Sequence, residues 1–243
     1  MADTDSAVTL VLDTCNRWIV LGLFGPDLEL TQVEDAQRES SSRTIPMIRD
    51  LLRTAGIQKP DRLVCTVGPG SFTGTRISVA TARNLAQLWD ISVRGIVSLR
   101  FYAHDIQLSR KESEMSDREI LVMLDGKQQR VYAVIYPPAV QTDDTLRYLD
   151  NHPAEILKLR SAEAAQPICY GDDPRAIGAL FAGESNPIPV IEPIPRPDPR
   201  TLLMLAEADR SWTNWEHLHP LYLRTDPASA LYPDGFQHGR KNY

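Results

Sequence analysis

Residues 67–76 read VGPGSFTGTR, with three glycines and a proline inside positions 67–74. Upstream lies DRLVCTVG (61–68), an apolar run that reads as a short buried strand; downstream the pattern turns helical over about 72–88. Strand, glycine corner and helix in that order belong to an α/β fold. Glycine weakens regular structure, and Gly74 in a first helical turn costs about 1 kcal/mol relative to alanine. The corner therefore serves one of two ends. It wraps an anion with backbone N–H groups at a helix N-terminus, or it lets another backbone come close.

The phosphate fingerprints do not fit. A Walker loop requires GxxxxGK[ST], but Gly74 is followed by Thr75 and Arg76; the dinucleotide pattern GxGxxG requires glycine where Thr73 stands. Anion binding stays open without being favoured. Gly68 and Gly70 would supply unusual backbone angles, and Ser71 would cap the helix. Stepping by four from Gly74 gives Ser78, Ala82 and Ala86, a small-residue stripe beside an apolar one of Ile77, Thr81, Leu85 and Leu88. Small side chains let a second helix approach to the short end of the usual separation of about 8–10 Å.

Working outward, VTLVLDT (8–14) and RWIVLGLF (17–24) read as strands around the turn Thr14-Cys15-Asn16, and LELTQVE (28–34) as a third. A helix is expected over about 39–55, with Ile45, Ile48, Leu52 and Ala55 on one stripe and Met47 and Leu51 off it. Pro46 either opens this helix within its first turn or kinks it. SVRGIV (92–97) completes the set. The second half repeats the order. After the polar loop SRKESEMSDR come strands EILVMLD (119–125), RVYAVIYP (130–137) and TLRYLD (145–150). A helix at about 153–162, the strand PICYG (167–171), a helix at about 174–181 and IPVIEP (188–193) follow, and a helix at about 199–209 closes the pattern. The elements recur although the sequence does not. The expected fold is α/β in two lobes, 1–100 and 101–243, each a mixed sheet flanked by helices. Six prolines within 187–199 read as a stiff connector into the last helix, and the tail after Thr225 as a surface or disordered segment.

The 243 residues, 42% hydrophobic and 24% charged, suit a soluble globular protein. No apolar run approaches the roughly 20 residues that span a bilayer. The acidic start MADTDSAVTL does not resemble a signal peptide. Cys15, Cys65 and Cys169 are far apart and form no CxxC pair, as expected of reduced, buried thiols in a cytoplasmic protein. Net charge is −6, yet residues 38–100 hold ten Lys or Arg against four Asp or Glu. An acidic protein is a poor general nucleic-acid binder. The basic segment, with Arg38, Arg43, Arg49, Arg53, Arg76 and Arg83, reads as a solvated face or as part of a composite surface.

Catalytic constellations are scarce. None of the five histidines belongs to an HExxH or HxxxH pair, so no metal site is expected, and no cofactor motif is present. Ser71 follows Gly70 directly, which is not the GxSxG nucleophile elbow. Asp13 ends the first strand and Asp125 its counterpart in the second half; paired carboxylates of this kind can hold a metal–nucleotide complex. The second turn, DGKQQR, lacks a glycine loop, and Asp125 reads as a turn cap. Asp13 stays a candidate ligand residue. The helices at 39–55 and 72–88 carry more apolar surface than one sheet covers. They either pack on one another and the sheet or meet a partner.

GPGSFTGTRI (68–77) resembles the signature of the TsaB (YeaZ) family, bacterial tRNA threonylcarbamoyladenosine biosynthesis subunits. LVLDT (10–14), IPMIRDLL (45–52) and PLYLR (220–224) fit the same family, and the likeness runs through most of residues 8–224. Cys15 stands where the family usually has serine, GTRIS where it has GLRIG, and DGK where it has DAR. The resemblance implies two actin-like, ribonuclease-H-like lobes and a non-catalytic subunit that binds and activates the catalytic TsaD subunit through its first two helices. TsaE joins the complex, and TsaC supplies threonylcarbamoyl-adenylate. The group is moved onto the adenosine adjacent to the anticodon in tRNAs reading codons that begin with A.

On that resemblance the candidate partner contacts are Ile45, Ile48, Leu52, Ile77, Ser78, Ala82 and Leu85. Gly68, Pro69, Gly70, Ser71, Phe72, Thr73 and Gly74 shape the corner, and Arg76 faces a partner or an anion. A homodimer through the same helices is the alternative when the chain is alone, and tRNA contact is indirect or through the complex. The rival readings are an actin-like ATP-dependent kinase of a small metabolite and a freestanding peptidase.

Overall fold

Alternation along the first strand sets the layers. In β1 (Thr9–Asp13) Leu10 and Leu12 point to one face and Val11 to the other, all of them fully buried. A strand buried on both sides needs cover on both sides, and the chain supplies it. The computed structural model describes residues 6–36, 39–110, 118–137, 146, 148–151, 156, 167–182, 190–209 and 211–223.

The first sheet joins β1 to β2 (Trp18–Gly25), β3 (Leu28–Asp35), β4 (Arg62–Thr66) and β5 (Ser92–Ile96) in the order β3-β2-β1-β4-β5. β1–β2 and β2–β3 are antiparallel hairpins, while β1, β4 and β5 run parallel. The second sheet contains β6 (Ile120–Asp125), β7 (Val131–Tyr136), β8 (Tyr148–Asn151), β9 (Ile168–Gly171) and β10 (Ile191–Pro193), ordered β10-β9-β6-β7-β8. Its pairings repeat the first: β6–β7–β8 antiparallel, β6–β9–β10 parallel. The two sheets share one topology, so the fold is α/β with two actin-like lobes. Asp13, paired with Val20, and Asp125, paired with Val131, end equivalent strands.

Helices α1 (Ser40–Ala55) and α2 (Phe72–Trp89) cover the outer face of the first sheet, burying Met47, Ile48, Leu51, Leu52, Val79, Ala82 and Ala86 against Leu10, Leu12, Leu63 and Cys65. Pro46 lies in the second turn of α1, where its missing N–H leaves the carbonyl of exposed Ser42 to solvent. Gly56, at φ 69°, stops α1 in the left-handed conformation. On the second sheet, α4 (Pro174–Phe181) is capped by Asp173, which accepts from the N–H of Ala176, and seats Ile177 and Phe181 on Leu121 and Met123. Of the helix expected at about 153–162, only buried Ile156 falls among the described residues; the rest lies outside them, as do the tail after Thr225 and the connector prolines 187 and 189.

Between the sheets lie α3 (Ser98–Ser109) and α5 (Pro199–Asp209). Their side chains form one apolar core with both sheets: Val11, Val64 and Ile96 from the first, Val122, Leu124 and Val134 from the second, Phe101, Leu202 and Ala206 between. Although α5 comes late in the chain, it packs chiefly on the first sheet. α3 is absent from the sequence-based expectation. Every residue from Ser98 to Gln107 is buried, so no polar stripe alternates with an apolar one. Val97 at its N-cap position makes no side-chain cap either. Cys15, Cys65 and Cys169 are buried and unbridged, as expected. Among the described residues no helix is long and apolar enough to cross a membrane.

Candidate partner interface

The glycine corner answers to the chain's own backbone. The β1–β2 turn lies directly over it: a Cβ on Gly70 would sit 2.3 Å from the carbonyl oxygen of Cys15, and one on Gly74 2.1 Å from that of Thr14. Neither distance can be borne, so both positions require glycine. The contact is fastened by the N–H of Ser71 donating to Cys15 O (2.7 Å) and by Thr14 Oγ1 donating to Gly74 O (2.7 Å). Gly68 has φ 99° and precedes Pro69 through a cis bond; its own Cβ would meet Thr75 and the carbonyl of Leu221 at 3.0 and 3.1 Å. Ser71 Oγ accepts the N–H of Gly74 at 3.3 Å, the cap expected of it. Of the two readings of the corner, close backbone approach is the one these contacts display.

The same closeness governs the small-residue stripe. Ser78 and Ala82 are fully buried on the first sheet, and Ser78 Oγ donates to the carbonyl of Thr66 at 2.7 Å. The expectation that Ser78 and Ala82 meet a partner is therefore corrected: their small side chains let α2 lie tight on its own sheet. Ile48 and Leu52, 2% and 8% exposed, likewise belong mainly to the core of the first lobe. Ile45, Ile77 and Leu85 differ. Ile45 is 49% exposed, Ile77 and Leu85 are half-buried, and Leu88 at the end of α2 is 76% exposed.

Of these, Ile45 and Leu85 border a valley between α1 and α2. A concavity of about 350 Å³ runs between Ile45, Leu52, Ile57, Leu85 and Trp89, with Arg49 and Arg53 at its rim. Ile77 lines a second hollow of about 560 Å³ where the N-terminal turns of both helices meet the β1–β2 turn, floored by Thr14, Ser40, Ser71, Thr73 and Gly74. Ile57 and Trp89 were not among the sequence-based candidates. Trp89 lies one four-residue step beyond Leu85, so the same stripe pointed to it; Ile57 lies beyond the helix end, where helical spacing gives no signal. Thr73, Phe72 and Arg76 are exposed at the start of α2, with the Arg76 guanidinium 3.8 Å from the centre of the Phe72 ring.

Asp13 is fully buried and bound from within. The hydroxyls of Thr66 and Tyr102 donate to its two oxygens, and the N–H of Cys15 donates to Oδ1 at 2.9 Å. Burial raises its pKa, and its three donors pull the other way. Burial, with the neighbouring Asp13 charge, pushes the Cys15 thiol up to about 12, so it stays a neutral thiol at neutral pH. Tyr102 comes from α3, and its ring is fully buried in the core shared by both sheets. Asp125 accepts from the N–H of Lys127 at 2.8 Å and caps its own turn.

Among known proteins, the family model described as TsaD: tRNA N6-adenosine threonylcarbamoyltransferase matches residues 31–174. The tRNA threonylcarbamoyladenosine biosynthesis protein TsaB of Escherichia coli (strain K12) is 30% identical over 129 residues, which cover 52% of this chain and 54% of the relative. The chain thus spans about half the length of that relative. TsaB of Buchnera aphidicola subsp. Schizaphis graminum is 26% identical over 65% of this chain and 72% of its own length. A crystal structure from Pseudomonas aeruginosa, described as an uncharacterized protein with similarity to peptidase YEAZ, superposes with a TM-score of 0.69 at 24% identity, covering 90% of this chain and all of the other.

Proposed function

The chain belongs to the TsaB (YeaZ) family, and on that premise we propose that it is a non-catalytic subunit in the biosynthesis of threonylcarbamoyladenosine in tRNA. It docks on a catalytic TsaD subunit through α1 and α2 and holds that subunit in its active form. TsaE joins the complex, and TsaC makes the threonylcarbamoyl-adenylate it consumes.

The observation that carries this reading is the α1–α2 valley. Ile45 and Leu88 are about half and three-quarters exposed, and the groove between the helices is walled by Leu85, Ile57 and Trp89. An apolar groove of this shape suits the ridge of a partner helix, in the manner of a helical bundle. A partner seated along it would cover about 800 Å² of this chain, the size of a stable interface. Asp13, fully buried and bonded by three donors of its own chain, favours a supporting subunit over the kinase.

Mixing the purified chain with the TsaD subunit of the same bacterium tests the reading. The predicted result is a complex whose mass equals the two subunits in fixed ratio, with tRNA modified only when both are present along with TsaC and TsaE. Full modification by TsaD, TsaE and TsaC without this chain contradicts it.

A further inference from the structure

A different face of α2 meets the returning C-terminal segment. There Arg76, Arg83, Asn84 and Gln87 of the helix face Trp215 and Tyr222 across a hollow of about 540 Å³. At one end Arg76 lies on Phe72, its Nε donates to the Tyr222 hydroxyl at 3.4 Å, and the Phe72 and Tyr222 rings are 6.2 Å apart. Both rings stand out of the surface, 59% and 50% exposed. At the other end the Arg83 guanidinium lies 5.7 Å from the Trp215 ring, held by a hydrogen bond to the carbonyl of Leu218 at 3.3 Å. Among the described residues neither arginine forms an ion pair.

This chemistry differs from that of the α1–α2 valley. A helix partner calls for aliphatic walls; here there are half-exposed aromatic rings, two arginines that meet no carboxylate among the described residues, and side-chain amides that both donate and accept. Those are the features that hold unpaired nucleotides: bases stack on aromatic rings and guanidinium planes while phosphates pair with arginine. Arg76 and Arg83, seven residues apart, lie two turns from each other on one side of the helix, about 10 Å apart along its axis. In a duplex the base faces are already stacked on each other, so the rings have nothing to take.

We propose that this face binds single-stranded RNA, with bases stacked on Phe72 and Tyr222 and phosphates against Arg76 and Arg83. That the RNA is the unpaired loop of a tRNA rests on the function proposed above; the surface chemistry does not.

Fluorescence anisotropy with a labelled anticodon stem-loop RNA, and with a fully paired RNA duplex of equal length, tests the proposal on the full chain. The stem-loop is expected to bind about tenfold more tightly than the duplex, because stacking on exposed rings is open only to unpaired bases. Tyr222→Ala weakens stem-loop binding about tenfold with little change in salt dependence. Arg76→Gln with Arg83→Gln lowers the slope of log affinity against log salt by about 1.4, each lost phosphate contact removing about 0.7. Equal affinity for stem-loop and duplex, unchanged affinity in these variants, or no binding by the unaltered chain overturns the proposal. Should the double arginine variant misfold, Tyr222→Ala, on an exposed ring, still decides. Association with TsaD is measured on the same samples and is expected to be unchanged. An unaltered chain that binds RNA but ignores TsaD sinks the proposed function and leaves the RNA surface standing; the converse result sinks only the surface.

Discussion

Gly74 lies beneath Thr14 so closely that a single added methyl would sit 2.1 Å from the Thr14 carbonyl oxygen, while the Thr14 hydroxyl donates to the Gly74 carbonyl at 2.7 Å. This pair locks the first turn of α2 to the end of the β1–β2 turn. The glycines that a phosphate loop would spend on a ligand are spent here on the protein's own chain.

Gly74→Ala and Gly70→Ala should each destabilise the protein by about 3 kcal/mol or more, since the obstructing atoms are backbone carbonyls that cannot rotate away. Gly178→Ala is the counter-case. Nothing lies within 4 Å of its Cβ position in α4, and alanine should stabilise that helix by about 0.5–1 kcal/mol. Chemical denaturation of the three variants checks the ordering.

Ser78→Arg and Ala82→Arg should unfold the first lobe, because both positions are fully buried on the sheet and offer an arginine neither space nor a counter-charge. Leu88→Arg, at 76% exposure, should leave stability within about 0.5 kcal/mol of the unaltered chain. Thermal melts followed by circular dichroism separate the two classes.

Asp105 ties α3 to the start of α5: its Oδ1 accepts the N–H of Asp198 at 3.1 Å and the hydroxyl of Thr201 at 2.7 Å. Burial, opposed by these donors and aided by the Asp198 charge, raises its pKa to about 6. An acid whose folded pKa is raised binds its proton more tightly when folded, so it costs stability once ionised. That cost is absent below about pH 4, grows between pH 4 and 6, and is complete above. Asp105→Asn keeps the accepting oxygen and removes the charge, so it should gain on the order of 2–3 kcal/mol at pH 7.5. The gain should vanish near pH 4. Urea melts across that range check it, and a variant less stable than the unaltered chain at pH 7.5 contradicts it.

Much of the fold was legible in the sequence because its strands are short, β-branched and bounded by turn residues. VTLVLDT and EILVMLD contain β1 and β6, and the recurring order of elements foretold two sheets of equal topology. α3 stayed hidden because a helix buried on all sides has no periodic contrast, and SLRFYAHDIQLS shows none. The small-residue stripe was visible but its partner was not. Ser78 and Ala82 announce a close approach, yet a sheet, a second helix and another protein all suit small side chains. Only placement of β4 beneath α2 decided among them. The grip on Asp13 was likewise out of reach, since Tyr102 lies 89 residues away on the helix that periodicity could not reveal.

The docking of α1 and α2 on TsaD is tested most directly by titrating TsaD with the chain carrying Ile45→Arg and Leu88→Arg, by isothermal calorimetry. Each side chain is an apolar contact worth about 1.5–3 kcal/mol when covered. The unaltered chain should bind, and the double variant should bind at least about a hundredfold more weakly while melting at the same temperature. Equal affinity of the two proteins for TsaD would place the contact elsewhere and contradict the account.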